Sequence, residues 1–336
     1  MVELKVVKTS QFGTPSRPIG VFQSLMAGFD RIAAKPYLLV PPILLDLFLW
    51  LGPHLTIPSI IQGLMDIMVV PIGADEAMVE QIEMLRSISS NLSHRLNLFA
   101  MISNLPVGIS SLMTSRMPMH TPLEQSLEFP VDSVILAFLI LLVVILLGQG
   151  MGTQFHLWIA QQLAPGKELA DRWIASGKMI LLAVIFYVVV VIFGFGVAFI
   201  ASLSAIVMPL FGLIVAFLGF TFGFWLFVYL FFTPHGIVRY GLGIFRSMVE
   251  SATLVRWNLL PVMGYLGSIL IISWLTSQAW VLPTEDSWFL LLAIVGHAFI
   301  SVTLLAGSYA FYQGRREWFY AVRQVQIAPT ERGGEG

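Results

Sequence analysis

Two ionisable side chains stand inside apolar runs. Asp46 lies in LLVPPILLDLFLWLG (38–52) and His297 in LLAIVGHAFIS (291–301). Asp46 is 11 residues past Lys35 and His297 ten past Ser287. By helical rise these are about 16 and about 15 Å from the flanking interfaces, near the middle of a bilayer core of about 30 Å. An isolated charged aspartate there costs about 2.5–3.5 kcal/mol, so Asp46 must be protonated, paired or in contact with water. His297 is the natural partner, because a carboxyl and an imidazole can share a proton and histidine titrates in the physiological range. That pair would serve proton or ion movement. The competing reading is that each group hydrogen-bonds a neighbouring helix and holds the bundle together.

Further polar and small residues cluster in GQGMGTQFHLW (148–158), where Gly148, Gly150 and Gly152 alternate before Gln154 and His156. No strand precedes the run and no Lys-Ser/Thr ends it, so it is not a phosphate loop. It offers close packing or a bend at the exit of a span, or else a pore or ligand contact. Gly219 and Gly223, with Gly212 a heptad earlier, form a small-residue face for packing within the bundle or against a second protein. The aromatic residues around 217–232 fit a lipid-facing or interfacial belt, with a site for a flat ligand as the sharper alternative.

Other chemistries are excluded or unsupported. There is no cysteine, which removes disulfides, thiolate nucleophiles and Cys-ligated zinc. HExxH, GxSxG and Walker signatures are absent. His54, His94, His120 and His235 are scattered, and Asp75, Glu76, Glu80 and Glu83 read as a solvated helix face. Neither a metal nor a cofactor is expected. A net charge of −1 gives no global field to attract nucleic acid or anionic lipid.

The elements that position these residues follow from composition. The chain is 57% hydrophobic and 11% charged, with a mean hydropathy of +0.85, against about 25% charge in soluble proteins. Windows 133–166, 179–238, 257–284 and 287–314 contain no Asp, Glu, Lys or Arg. Window 179–238 accommodates two spans turning near 202–204. With the segment around Asp46, the expectation is an all-α integral membrane protein with a six-span transmembrane helix bundle. Pro41 and Pro42 mark a kink or the start of the first span. With the N-terminus inside, only Arg86, Arg95 and Arg116 of the 18 basic residues fall outside, which places both termini in the cytoplasm of a plasma (inner) membrane.

Along the chain this gives a cytoplasmic N-terminal tail (1–19) that lacks the apolar region of a signal peptide. An amphipathic elbow helix plus span 1 (20–52) and an extracytoplasmic helical insertion (53–132) follow. Next come span 2 (133–158), an elbow with spans 3 and 4 (166–238), an elbow with spans 5 and 6 (243–314) and a C-terminal tail (315–336). Gly-x-Phe-x-Ser opens both 20–24 and 243–247, so the elbows look like parallel repeats, with 166–178 a weaker third. In the insertion, 57–70 and 74–99 carry helical periodicity. Residues 98–113 form a short apolar piece broken at 104–106, with a re-entrant dip as one option, and 117–130 is a loop. The expected function is that of a non-enzymatic membrane subunit or assembly/scaffold protein, with the lipid bilayer and other membrane proteins as partners. The alternative is a small-molecule or ion transporter using Asp46 and His297.

Overall fold

The computed structural model describes residues 18–67, 76–164 and 169–327. Lys5, Lys8, Arg17, Asp75, Lys167 and Arg332, residues 1–17 of the N-terminal tail and residues 328–336 of the C-terminal tail lie outside the described residues. The architecture is helical: α1 (Val21–Ala34), α2 (Val40–Leu51), α3 (Pro58–Asp66), α4 (Glu76–Arg95), α5 (Met113–Arg116), α6 (Val134–Leu163), α7 (Arg172–Val207), α8 (Pro209–Leu230), α9 (Thr233–Tyr240), α10 (Ile244–Trp257), α11 (Leu259–Trp280) and α12 (Leu290–Ile327). Short 3-10 turns cover Pro36–Leu39 and Leu98–Ile102. The insertion also holds strand pairs the periodicity did not reveal. β1 (His54–Thr56) runs parallel to β4 (Glu128–Pro130), and β2 (His120–Thr121) antiparallel to β3 (Glu124–Gln125).

Among the described residues, five helical segments are long and apolar enough to cross a membrane: Val134–Leu163, Arg172–Val207, Pro209–Tyr240, Leu259–Trp280 and Leu290–Arg323. A sixth is counted only when α1 and the Pro36–Leu51 segment are joined across a 98° bend. The bend falls where Lys35 leaves helical geometry and Pro36 opens the next turn, because the residue before a proline is pushed away from the α region. Pro41 and Pro42 sit in the first turn of α2, where a missing N–H breaks no helical bond. They start a helix instead of kinking one.

The α12 helix is the axis of the molecule. Helix α1 runs antiparallel along it, bringing Gly28 onto the backbone at Thr303 and Gly307, with Phe29 against Phe299 at 5.5 Å. Arg315 donates to the Ile19 carbonyl at 3.3 Å, so residue 19 and residue 315 share one end of the bundle. Helix α11 packs on another side, where the Tyr265 hydroxyl donates to the Leu304 carbonyl at 3.0 Å. The buried residues of α1 (Ser24, Gly28, Ile32) and three of the four of α10 (Ser247, Ser251 and Val255, with Leu254 the fourth) fall at the same offsets from their N-cap glycines, Gly20 and Gly243. A four-residue step puts each trio on one helical face. The expected elbow at 166–178 is not a separate helix, since from Arg172 onward those residues are the first turns of α7.

Helices α7 and α8 form a hairpin that turns at Met208-Pro209 and not at 202–204. Met208 is extended (φ −159°, ψ 125°) and Pro209 occupies the start of α8, the position where proline is pre-organised. Outward side chains such as Phe195, Ile206 and Phe220 are exposed, as groups facing acyl chains would be.

The close approach of α1 to α12 is testable. A Cβ at residue 28 meets backbone that cannot rotate away, so Gly28→Ala should destabilise by about 1–3 kcal/mol through overpacking. Gly177→Ala, with open space at that position, should not. Thermal unfolding of the two variants in the same detergent separates these outcomes.

Candidate functional site

Residues 98–113 descend from the insertion into the bundle and meet α2, α6 and α7. Gly148 lies 14 residues into α6, about 21 Å along it, and a Cβ there would be 2.5 Å from the Ile102 carbonyl oxygen. A Cβ at Gly152 would land on the Val107 carbonyl. The glycines one turn apart therefore open a groove in α6 that the entering backbone fills. Gly150, pointing elsewhere, has open space beside its Cα. Because α6 continues to Leu163, this run sits mid-helix.

Irregular backbone at membrane depth survives only when protein satisfies its polar groups. Gln149, fully buried, donates Nε2 to the Leu105 carbonyl at 2.8 Å and also bonds the Asn104 side chain. Asn104 donates in turn to the carbonyls of Met101 and, at 3.3 Å, Ile145. The Tyr187 hydroxyl of α7 donates to the Leu105 carbonyl at 3.0 Å.

Asp46 completes the enclosure. In α2 the buried residues are Pro42, Leu45, Asp46, Leu49 and Trp50, one face of a 3.6-residue period. The Asp46 carboxylate, 0% exposed, accepts the Ser111 hydroxyl at 2.6 Å and the Met113 N–H at 3.0 Å on Oδ1. It accepts the Leu112 N–H at 3.2 Å on Oδ2. These donors lie at the N-terminus of α5, whose N-cap is Leu112, where backbone N–H groups have no helical partner.

His297 does not join this arrangement. Its Nε2 is 3.2 Å from Ser301 Oγ on its own helix, its Nδ1 is buried without a partner, and among the described residues no hydrogen bond links it to Asp46. Equal depth did not mean shared direction. Gly212, Gly219 and Gly223 face Ala201/Ala205, Val197 and Phe193 of α7 respectively, so the small-residue face closes the α7–α8 hairpin. Gln154 donates to Ser176 Oγ at 2.8 Å, tying α6 to α7.

The insertion is clamped to the 281–288 tip. Arg116 donates to the carbonyls of Trp280 at 2.7 Å and Pro283 at 2.8 Å. Glu285 accepts the Met119 N–H at 3.0 Å and pairs with Arg95 at 3.6 Å. Trp50 Nε1 donates to the Glu285 carbonyl at 2.9 Å.

A second polar group, unforeseen apart from His156, follows one face of α12. His156 Nδ1 and the Tyr309 hydroxyl are 3.1 Å apart. His235 Nε2 is 2.7 Å from Ser308 Oγ, and its ring lies 4.4 Å from that of Tyr309. One turn on, the Tyr312 hydroxyl donates to Glu250 Oε1 at 2.7 Å. Arg316 Nε donates to the same oxygen at 2.6 Å and the Tyr320 hydroxyl to Oε2 at 2.9 Å. The steps of three or four along α12 were visible in the sequence. What Ser308, Tyr309, Tyr312, Arg316 and Tyr320 meet was not. Burial alone would raise the Glu250 carboxyl, but the hydrogen bonds from Arg316 and Tyr312, with the Arg316 charge, outweigh it and hold it below the usual glutamate range.

Replacing Asp46 by Ala leaves two backbone N–H groups and a hydroxyl without an acceptor, at about 1–3 kcal/mol for each buried group. Residues 98–116 should then lose hydrogen-exchange protection and become protease-sensitive, with Asp46→Asn intermediate. Unchanged protection in Asp46→Ala would show that the carboxylate is not what holds the segment. Glu250 predicts a pH effect. With its folded pKa lowered, its contribution is complete above the unfolded value of about 4.3 and lost as pH falls through the folded value. Thermal stability should drop on that acid limb, and Glu250→Gln should flatten the drop.

Compared with family models, with curated proteins and with solved structures, the chain matches none.

Proposed function

We propose that the chain is a non-enzymatic membrane subunit or assembly protein of the plasma (inner) membrane, with both ends cytoplasmic. Its bundle acts as a fixed mount for the extracytoplasmic cap, and its partners are the bilayer and other membrane proteins. The observation that carries this reading is the state of Asp46. A group that moves ions must be reached by water from one side or the other, whereas this carboxylate is 0% exposed and both its oxygens accept bonds from the chain's own inserted segment. Satisfied buried polar networks rigidify a fold. The distribution of basic residues supports the orientation.

The absence of cysteine makes the test direct. A single Ser111→Cys, which keeps the Asp46 carboxylate and the two backbone N–H bonds it accepts, is exposed to a small charged thiol reagent in intact membranes. It should stay unlabelled until the protein is unfolded. Rapid labelling in a protein of unchanged thermal stability would mean an aqueous path to this depth and would favour the transporter reading instead.

A further inference from the structure

At the end of the bundle that carries Ile19 and Arg315, α10 and the last turns of α12 border a cleft of about 370 Å³. Its walls include Phe245, Arg246, Val249, Arg316, Phe319 and Arg323, together with Glu250. A neighbouring opening continues across Arg246 and Arg316 to Glu317 and Tyr320.

The charges in the first cleft do not balance internally. Glu250 is engaged by Arg316, Tyr312 and Tyr320. The Arg316 guanidinium is held over the Tyr240 ring at 3.8 Å. Arg246 and Arg323 are exposed and make no ion pair among the described residues. Three guanidiniums thus face one carboxylate that is already bonded, and the cleft is suited to an anion.

The apolar wall narrows the class of anion. Phe245 is 81% and Val249 65% exposed, and both lie on the outer face of α10, whose inner face buries Ser247 and Ser251. At the junction with α11, Trp257 is 69% exposed, a residue favoured at the headgroup level. An amphipathic helix with such a face lies in the membrane interface with its apolar side at the acyl boundary. A free inorganic anion would use the arginines and leave the apolar wall idle. We propose that the α10–α12 cleft binds an anionic phospholipid, with Arg246 and Arg323 bonding the phosphodiester headgroup and Phe245 and Val249 flanking the acyl chains. Basic pockets between membrane helices suit such headgroups, and guanidinium matches phosphate geometry. The site does not depend on whether the bundle has protein partners.

The test uses the full chain in nanodiscs of phosphatidylcholine with and without phosphatidylglycerol, reading thermal unfolding and lipid retention by native mass spectrometry. Phosphatidylglycerol should stabilise the native chain and be retained on it. The double variant Arg246→Gln/Arg323→Gln should bind it about tenfold or more weakly while unfolding at the native temperature in pure phosphatidylcholine. Arg256→Gln, an exposed arginine outside the cleft, should behave as the native chain and so separates a site from general surface attraction. Equal losses in Arg256→Gln and the double variant would overturn the proposal. So would undiminished binding by the double variant, or full stabilisation by inorganic phosphate alone. If the double variant is unstable in neutral lipid, Phe245→Ser takes its place, and undiminished retention by that variant overturns the proposal equally.

Discussion

Everything around the insertion depends on satisfying a stretch of largely irregular backbone that packs into a helical bundle. Residues 98–113 bring carbonyls and N–H groups in among α2, α6 and α7, with Asn104, Val107, Leu112 and Met113 buried, and each unmet buried group there is costly. Asp46 provides acceptors for the N–H groups at 112 and 113, and Gln149 provides a donor for the carbonyl at 105. Gly148 and Gly152 provide the space. Remove any of these and the remaining contacts hold a segment whose polar atoms have lost their partners. The placement of a carboxylate in an apolar helix is therefore explained by what another part of the chain needs.

That requirement also accounts for the rim. The inserted segment must be held at both ends, and the clamp of Arg116 and Glu285 joins the insertion to the loop between α11 and α12. Because α12 is also the helix along which α1 and α11 pack, the insertion is coupled to the central axis of the bundle. At the far end of α12 the surface changes character. A buried histidine–tyrosine group gives way to the Glu250–Arg316 pair and then to exposed arginines beside aromatic and aliphatic side chains. The two ends are thus chemically distinct: one sealed around its own backbone, the other open and basic.

The α7–α8 hairpin differs from both. The three glycines of α8, Gly212, Gly219 and Gly223, join the two helices to each other, as the contacts of Gly212 with Ala201 and Ala205 show. Its outward face is bulky and apolar. In a bilayer such a face gains nothing from burial against another helix unless packing improves on lipid.

The sequence by itself determined the class of the protein, since charge-free windows of 28 residues or more admit few alternatives to apolar helices. It determined the helical pieces of the insertion, through residue spacing, and it singled out Asp46, through the cost of a carboxylate in an apolar run. The matching openings at Gly20 and Gly243 were also legible, because a four-residue step is a local property. What only the tertiary structure decided was direction. Each residue turns a helix by about 100°, so depth in a span can be counted from its end while rotation and partner cannot. That is why Asp46 and His297, level in the sequence, bond to different neighbours, and why the glycine run of α6 proved to receive the chain's own insertion. The hairpin turns at Met208-Pro209 and not near 202–204 for a local reason, since proline is pre-organised for a helix start.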